Sequence, residues 1–357
     1  MSDIYEQIES IQKEIRETPY HKGTEHHIGM LRARIARLKD KIIENEAKGG
    51  SGGGEGYAVK KHGDATVVLV GPPSVGKSTL INKLTNAHSP TAAYSFTTVS
   101  VIPGMMDYKN ARIQILDVPG LIEGAEVGKG RGREVLSVIR GCDLIVLMTD
   151  VTKKGTIKAI RDSLEKNGIR INKTPPKITL KKAVAGGLEI KSNIKQTLAK
   201  EHIKAIAAEM GFKNGEITLE SKVTTEQLID SLSHNRVYIP AIIVINKADL
   251  AKQLPALPHA TYLVAEKGEG VEDLKEKIYQ ALRFITVFLI KKDEEPNNNT
   301  PVIVKKGTSL QDIADSIGNK FAENITAAQI WGQGAKFKGQ EVSLETEAKD
   351  GVIVKFV

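Results

Sequence analysis

Apolar residues recur at helical spacing in two stretches near the N-terminus. Isoleucines between residues 4 and 15 are spaced 4-3-4, and isoleucines and leucines between residues 28 and 42 are spaced 3-4-3-4. Each spacing places its apolar side chains on one face of a helix. Pro19 and Gly23 interrupt the pattern, and Thr24 can cap the second helix. The pattern predicts a helical hairpin over residues 1–47 whose apolar seam packs on its own chain.

Short aliphatic runs alternate with helical patterns farther along the chain. The predicted strands are TVVLVG, ARIQILDVPG, DLIVLMTD and PAIIVINKAD, and the predicted helices are KSTLINKLT, GREVLSVIRG and VEDLKEKIYQALRFI. Strands that are aliphatic throughout are typical of parallel sheets covered on both faces. The pattern therefore predicts an α/β fold, with a mostly parallel sheet and helices on both of its faces, over residues 57–152 and 239–287.

The remaining segments predict a linker and two further modules. Residues 48–56, KGGSGGGEG, have the composition of a flexible linker. Almost ninety residues separate the strand ending at Asp150 from the one beginning at Pro240, too many for a structureless loop. That interval contains a helical pattern, SNIKQTLAKEHIKAIAAEMG, and an alternating one, RINKTPPKITLKK, which predict an inserted α+β subdomain over residues 153–238. Strand patterns surround one capped helix, TSLQDIADSIG, near the C-terminus, and they predict a small α+β module over residues 288–357.

Positive charge is concentrated in the predicted insertion. Residues 153–238 contain seventeen Lys and Arg against nine Asp and Glu, a net charge of 17 − 9 = +8 that equals the formal charge of the whole chain. A basic segment attracts phosphate backbones without base specificity. No RNA-binding motif accompanies the charge, so two readings stay open, a solvated lysine-rich face and an RNA-contacting surface.

The composition and the N-terminal residues also indicate in which cellular compartment the protein occurs. No apolar run approaches the roughly 20 residues of a membrane helix, and the first ten residues are acidic and polar, unlike a secretory signal. Cys142 is the only cysteine, so the chain forms no internal disulfide. These features predict a cytoplasmic protein without a membrane partner.

Residues 71–79, GPPSVGKST, match a phosphate-binding loop between a predicted strand and a predicted helix. Glycines let backbone N–H groups curl around phosphate oxygens, and the helix N-terminus adds partial positive charge. Lys77 can reach the β and γ phosphates, and the Ser78 hydroxyl can bind magnesium. The predicted phosphate-contacting residues are Gly71, Pro72, Pro73, Ser74, Val75, Gly76, Lys77, Ser78 and Thr79.

Two shorter motifs follow at the ends of later predicted strands. DVPG, residues 117–120, places Asp117 to hold the magnesium shell through water and Gly120 to turn its N–H toward a γ phosphate. NKAD, residues 246–249, offers the Asp249 carboxylate to guanine N1–H and the 2-amino group, with Asn246 supporting the other edge of the base and Lys247 lying along the ring. Adenine would leave that carboxylate unpaired. Three motifs in this order, each at a strand's C-terminal end, predict that the nucleotide is GTP.

These motifs and the segments around them resemble the Obg-related GTPases, and most closely the developmentally regulated GTP-binding (DRG) proteins. The likeness includes GPPSVGKSTLINKLT, AAYSFTTVSVIPG, DVPGLIEGAEVGKGRGREVLSVIR and NRVYIPAIIVINKADL, and it extends over nearly the whole chain. It implies a P-loop GTPase domain, an insertion similar to ribosomal S5 domain 2, and a C-terminal β-grasp module of the TGS type. It also implies a ribosome- or translation-linked function and a small DRG-family regulatory partner protein.

The resemblance assigns further residues to the site. Thr98 of FTT occupies the switch I position that ligates magnesium in the GTP state, and Gly120 is the switch II sensor of the γ phosphate. The last guanine-recognition segment departs from the family's Ser-Ala pair, because this chain has Val264-Ala265-Glu266. The backbone N–H groups of Ala265 and Glu266 can still meet guanine O6, so we expect guanine specificity to survive.

The predicted catalytic groups are Lys77, Thr98 and Gly120, with Mg²⁺ as cofactor. Leu121 follows Gly120 where a Ras-like enzyme has a water-orienting glutamine, and an aliphatic side chain cannot polarise water. We therefore expect slow intrinsic GTP hydrolysis that accelerates when a partner or a cation completes the site. Ser74 stands where some relatives carry an asparagine that recruits K⁺, so potassium dependence stays open.

Three functions are compatible with these observations. The leading one is a GTP-dependent switch whose γ phosphate orders the switch segments and changes affinity for a ribosomal or RNA partner. The second is an RNA- or ribosome-binding scaffold in which bound GTP is structural. The third, an ATPase or kinase, is disfavoured by NKAD and has no acceptor-site motif to support it.

Overall fold

The computed structural model describes residues 2–48, 62–85, 102–118, 131–153, 155–255, 257–291 and 294–357. The helices in these ranges are α1 (Ser2–Glu17), α2 (Glu25–Lys48), α3 (Lys77–Leu84), α4 (Arg131–Gly141), α5 (Thr156–Lys166), α6 (Lys200–Glu209), α7 (Thr225–Leu232), α8 (Val271–Leu282), α9 (Leu310–Ile317) and α10 (Asn319–Ala322). The chain divides into two compact units, Met1–Ala58 with Ser163–Ile239, and Val59–Asp162 with Pro240–Val357.

The strands form separate sheets in the two units. Those of the second unit are β1 (Ala65–Val70), β2 (Ile102–Tyr108), β3 (Ala111–Asp117), β4 (Leu144–Asp150), β10 (Ala241–Asn246), β11 (Ala260–Tyr262), β12 (Phe284–Ile290), β13 (Pro301–Lys305), β14 (Ala328–Trp331), β15 (Gln340–Val342) and β16 (Val352–Phe356). Those of the first unit are β5 (Ile169–Ile171), β6 (Ile178–Lys182), β7 (Leu188–Ser192), β8 (Gly215–Leu219) and β9 (Val237–Ile239).

The larger sheet of the second unit has the strand order β11-β10-β4-β1-β3-β2. All neighbours pair in parallel except β2, which runs antiparallel to β3 at the edge. Every residue of β1 and of β4 is buried, as is typical of strands in a parallel sheet that is covered on both faces. One face packs against α3 and α8 through residues such as Leu69, Val146 and Leu274. The predicted fold class, a mostly parallel α/β sheet with additional modules, is confirmed.

The smaller sheet of the second unit has the order β13-β12-β16-β14-β15, with β12 and β16 parallel and the other pairs antiparallel. Its apolar face covers α9, which begins with a capping box between Ser309 and Asp312. Ile303 of β13 and Phe284 of β12 also pack into the hydrophobic core of the larger sheet. Lys305 adds an ion pair to Asp143 at 2.5 Å.

The predicted helix VEDLKEKIYQALRFI is too long at its C-terminal end. Helix α8 ends at Leu282, and Arg283 adopts a left-handed conformation with φ of 51°. The next residues, FITVFLI, form β12, because six of the seven are β-branched or aromatic. The prediction was wrong there because Phe284 and Ile285 also fit the 3.6-residue period of the preceding helix.

In the first unit, α2 buries two faces. The predicted seam contains the buried residues Ile28, Leu31 and Ile42, and α1 packs along α2. A second face carries the small residues Ala33 and Ala36, which are buried in the core of the inserted segment together with α6 and α7. This face was not predicted, because alanines do not stand out in a hydrophobic period; small residues nevertheless let helices approach closely.

The inserted segment is an α+β assembly. β6, β8 and β7 form a three-stranded sheet, and β5 pairs in parallel with β9. The helix observed in SNIKQTLAKEHIKAIAAEMG is shorter than predicted, because α6 begins only at Lys200. Ser192 explains the late start: its hydroxyl bonds the Ile194 carbonyl and accepts from Gln196, which holds this stretch in a turn.

Asp40 fixes α2 to the inserted segment. Its buried carboxylate accepts hydrogen bonds from the Ser233 hydroxyl, at 2.7 and 2.9 Å, and from the Asn235 amide at 3.2 Å. A buried carboxylate is tolerated only when its oxygens are satisfied in this way. The position of α2 is therefore set by polar contacts as well as by apolar packing.

His202 makes the stability of this packing depend on pH. Its ring is 7% exposed, stacks on His26 at 4.5 Å, and has no hydrogen-bond partner for Nε2 among the described residues. Burial, with repulsion from His26, lowers the pKa of His202 below its usual 6.5, although Glu25 opposes the shift. A lowered pKa means that the unfolded chain binds the proton first, so stability falls as pH drops below 6.5.

We therefore expect the thermal unfolding midpoint to fall between pH 7 and pH 5, and a His202→Phe variant to lose part of that dependence. His234→Phe is the matched control, since His234 lies exposed in the same unit. Differential scanning fluorimetry across pH measures both. Equal pH slopes in the wild type and the His202 variant would contradict the assignment.

Every helix in the described ranges is too short or too polar to cross a bilayer.

Candidate functional site

The loop at residues 71–76 joins the C-terminal end of β1 to α3. Ser74 and Gly76 are in left-handed conformations, with φ of 62° and 94°, and the loop curls back on itself. A Cβ atom at Gly76 would lie 2.4 Å from Nδ2 of Asn246. The loop therefore requires glycine at this position for both conformation and space.

Five consecutive carbonyl groups of this loop accept hydrogen bonds from side chains. Lys77 Nζ donates to Gly71 and Pro72 at 3.0 and 3.1 Å, Lys153 Nζ to Pro73 at 2.6 Å, Lys247 Nζ to Ser74 at 2.9 Å, and Asn246 Nδ2 to Val75 at 2.8 Å. In a trans peptide the N–H points opposite to the carbonyl, and the described chain has no cis peptide bond. The N–H groups that follow the last three of these carbonyls, those of Ser74, Val75 and Gly76, are thus turned away from the donors, as in an anion-binding nest, whereas Pro72 and Pro73 carry no N–H.

Lys77 begins α3 and is 9% exposed. Its ammonium group lies beside the loop, where the partial positive charge of the helix N-terminus adds to its own. Thr79 and Ser78 follow on the same first turn and are exposed. The loop and the start of the helix together form a positively polarised site.

Ser78 and Asp117 meet at the ends of α3 and β3. The Ser78 hydroxyl donates to Oδ2 of Asp117 at 3.1 Å. Asp117 is 7% exposed, and its Oδ1 has no hydrogen-bond partner among the described residues. A buried carboxylate oxygen left in this way costs free energy unless a cation or water satisfies it. A hydroxyl and a carboxylate are also the ligand types that Mg²⁺ prefers.

Asn246 lies at the centre of the site, 4% exposed at the end of β10. Its amide nitrogen donates to Val75 and its Oδ1 accepts from the backbone N–H of Ala265 at 2.9 Å. The side chain therefore joins the loop at 71–76 to the turn after β11. This brings two predicted segments together that are far apart in sequence.

We expect Asn246→Ala to destabilise the nucleotide-free protein by about 2–4 kcal/mol, because it leaves a buried carbonyl and a buried N–H unpaired. Asn246→Asp should cost at least as much, since its buried carboxylate still accepts from Ala265 but faces the Val75 carbonyl oxygen without a proton to donate. Urea denaturation followed by circular dichroism measures both changes. An alanine variant as stable as the wild type would show that the clamp is not maintained in solution.

Asp249 belongs to the predicted guanine-recognition motif that follows β10. It lies in a short 3₁₀ helix, Ala248–Leu250, and its Oδ2 pairs with Lys267 Nζ at 3.1 Å. The hydrogen bond that Lys267 donates to this carboxylate raises the pKa of Lys267. Ala265 is 1% exposed and belongs to the core of the larger sheet, whereas the Glu266 side chain is exposed.

Three participating residues escaped the sequence analysis: Asp150, Lys153 and Lys267. Asp150 is buried at the end of β4 and accepts from Lys247 Nζ at 3.1 Å. Burial alone would raise its pKa, but hydrogen bonds from Thr152 and Lys247 outweigh burial and hold the pKa below its usual value. Its position in the sequence could have identified Asp150, since it ends a predicted aliphatic strand, and ligands bind at the carboxyl ends of the strands of a parallel sheet.

Of the predicted site residues, the structure brings together the loop at 71–79, Asp117, Asn246, Lys247, Asp249, Ala265 and Glu266 at the carboxyl ends of the strands. Thr98, Gly120 and Leu121 lie outside the described residues.

Three family models together match residues 66–182 and 185–357. A model described as a 50S ribosome-binding GTPase matches residues 66–182, one for the C-terminal region of that domain matches 185–284, and one for the TGS domain matches 285–357. The fold and these matches define a P-loop GTPase with a C-terminal TGS domain.

Similar proteins occur in archaea and eukaryotes. A GTP-binding protein of Methanocaldococcus jannaschii is 42% identical over 99% of this chain and 93% of its own length. Developmentally-regulated GTP-binding protein 1 of Xenopus laevis is 39% identical, with 100% of both chains aligned. Developmentally-regulated G-protein 3 of Arabidopsis thaliana is 40% identical over 100% of this chain and 99% of its own. The chain belongs to the developmentally regulated GTP-binding protein family, which confirms the resemblance drawn from its motifs, and it is a GTP-binding GTPase.

Proposed function

We propose that this GTPase is a magnesium-dependent molecular switch that acts on the ribosome or on RNA during translation. The observation that carries the proposal is the row of five loop carbonyls held by side-chain donors, because it pre-orients the backbone N–H groups of Ser74, Val75 and Gly76 toward a phosphate chain. The matched family model is described as ribosome-binding, which supports the choice of partner. The basic composition of residues 153–238 supports it as well.

In this proposal the loop at 71–76 and Lys77 hold the phosphates, and Asp249 selects guanine by accepting from N1–H and the 2-amino group. Backbone N–H groups of Ala265 and Glu266 meet guanine O6. Asn246 keeps the base side and the phosphate side of the site in register, because it bonds both. Thr98 and Gly120 report the γ phosphate.

Ser78 would bind Mg²⁺ directly and Asp117 would hold it through water, which fits the unsatisfied Oδ1 of Asp117. When bound, the ion neutralises charge that develops on the phosphate oxygens. The protein groups stabilise the same charge: Lys77 provides a full positive charge, and the loop N–H groups provide fixed dipoles that need no reorganisation. Since Leu121 cannot orient water, intrinsic turnover is slow, and a small regulatory partner protein or a cation is the component that completes the site.

The test is co-sedimentation of the purified protein with ribosomes in the presence of a non-hydrolysable GTP analogue, GDP or no nucleotide. The switch predicts strong co-sedimentation with the analogue and weak co-sedimentation in the other two conditions. Identical binding in all three would overturn the switch and favour a scaffold in which GTP is structural. The Asp249→Asn variant with a xanthosine analogue provides the nucleotide control in the same assay.

A further inference from the structure

The first unit contains an open pocket of about 320 Å³ between α2, the C-terminal end of α5, β5 and α7. It lies in the unit formed by the hairpin and the inserted segment. Five cationic side chains line it, those of Arg32, Lys39, Arg170, Lys173 and Arg236. Three carboxylates line it as well, those of Glu165, Glu226 and Asp230. The lining therefore carries a net charge of 5 − 3 = +2.

The carboxylates are already neutralised by partners inside the pocket. Asp230 is the most buried, and it accepts from Arg170 at 2.7 and 2.8 Å and from Arg236 at 3.0 Å. Glu165 pairs with Lys173 at 2.9 Å. Glu226 pairs with Arg32 at 3.3 Å. Each acid of the lining thus has at least one cation of its own.

Lys39 is the cationic side chain of the lining that pairs with none of these three carboxylates. Its Nζ donates to the backbone carbonyl of Lys166 at 2.8 Å, and no described carboxylate lies within 4 Å of it. An ammonium group has three donors, so two remain after this bond. Burial, with repulsion from Arg236, Lys166 and Arg170, lowers the pKa of Lys39. The site holds a positive charge that the chain itself does not compensate with an acid.

One wall of the pocket is apolar and consists of Ile35, Ala36 and Ile229. A cavity of this size with an apolar wall and a few convergent polar groups is suited to a small ligand or to one unit of a polymer. The two surplus positive charges match a phosphate group, whose oxygens accept several hydrogen bonds from Lys and Arg. A simple metal cation is disfavoured because it would add to the positive charge.

We propose that this pocket is a phosphate-binding site, separate from the nucleotide site, in which Lys39 is the principal ligand and the apolar wall receives the organic group attached to the phosphate. The phosphate comes either from a small phosphate monoester or from the backbone of RNA, since both present the same oxygens. The proposal depends neither on GTP binding nor on the switch.

The experiment is equilibrium dialysis of radiolabelled inorganic phosphate against the full-length protein in excess GDP and Mg²⁺. GDP occupies the loop at 71–76, and comparison of variants assigns the remaining phosphate. We expect one saturable site in the wild type. Lys39→Gln should weaken phosphate binding at least about tenfold, because one charge-assisted hydrogen bond is lost. Lys41→Gln is the matched control, as Lys41 lies exposed on the same helix, and it should change binding less than about twofold.

Lys173→Gln provides a second variant at an exposed position of the lining, so that a fold defect in Lys39→Gln does not decide the result. It should weaken binding by about two- to fivefold. Competition by a 5′-phosphorylated ribodinucleotide but not by its unphosphorylated form assigns the site to a monoester. Equal competition by both forms assigns it to the RNA backbone. Absence of saturable binding, or equal binding by the wild type and both variants, would overturn the proposal.

Discussion

Replacing Lys77 with alanine is expected to lower kcat/KM for GTP by about 10²–10³-fold, the loss seen when one pre-oriented charge-stabilising donor is removed from a transition state. The ammonium group is held in place by two loop carbonyls and lies at the start of α3. It acts on phosphate oxygens whose charge redistributes during hydrolysis, so binding and turnover should both suffer. Steady-state phosphate release and nucleotide binding by calorimetry measure the two effects.

Lys83→Ala is the matched control, because Lys83 lies on the same helix with its side chain exposed. Its kinetics should remain within about twofold of the wild type. Thermal unfolding of Lys77→Ala in the absence of nucleotide separates loss of a ligand contact from loss of fold. Wild-type turnover by Lys77→Ala would show that the loop is not the phosphate site.

Replacing Asp249 with asparagine is expected to reduce GTP affinity by about 10³–10⁴-fold and to create a preference for XTP. Guanine presents two donors to the carboxylate, whereas xanthine presents a donor and an acceptor, which match the two ends of an amide. A site that hydrogen-bonds its ligand discriminates strongly because the mismatched partner leaves buried polar groups unpaired. Competition of labelled GTP by GTP, ATP and XTP measures the change.

Lys267→Gln controls for the other consequence of this substitution, since Asp249→Asn also removes the ion pair with Lys267. That pair is partly exposed, and breaking it from the lysine side should change GTP affinity only by a small factor. An asparagine variant that keeps its preference for GTP over XTP would contradict guanine recognition by Asp249. Equal competition by ATP in the wild type would contradict it as well.

The sequence was sufficient to predict the parts of this molecule that follow from local chemistry. The loop at 71–79 was recognised because the glycines and Lys77 have a fixed spacing that the phosphate geometry requires. The larger sheet was recognised because strands buried on both faces, such as β1 and β4, are aliphatic throughout. Asp117 and Asn246 were predicted as site residues because they lie at strand ends, where the ligand-binding groups of parallel sheets are located.

The parts that escaped prediction depend on partners distant in sequence. Lys153 bonds Pro73, which lies 80 residues earlier, and nothing in its own neighbourhood distinguishes it from the other lysines of a basic segment. The second face of α2 consists of alanines whose burial depends on α6. The first two residues of β12, Phe284 and Ile285, were predicted to end α8, because the strand that pairs with β12 in parallel, β16, lies at the far end of the chain.

Because Phe284 and Ile303 pack into the core of the larger sheet, the C-terminal domain cannot be removed without exposing apolar side chains of that core. Sequence similarity places the border of the TGS domain at residue 285, but the packing does not stop at that border. A shortened chain ending near residue 283 would uncover Leu282 and the tyrosine beside it, and would tend to aggregate. A chimera that borrows the TGS domain of a relative should therefore transfer the residues at positions 284 and 303 as a pair.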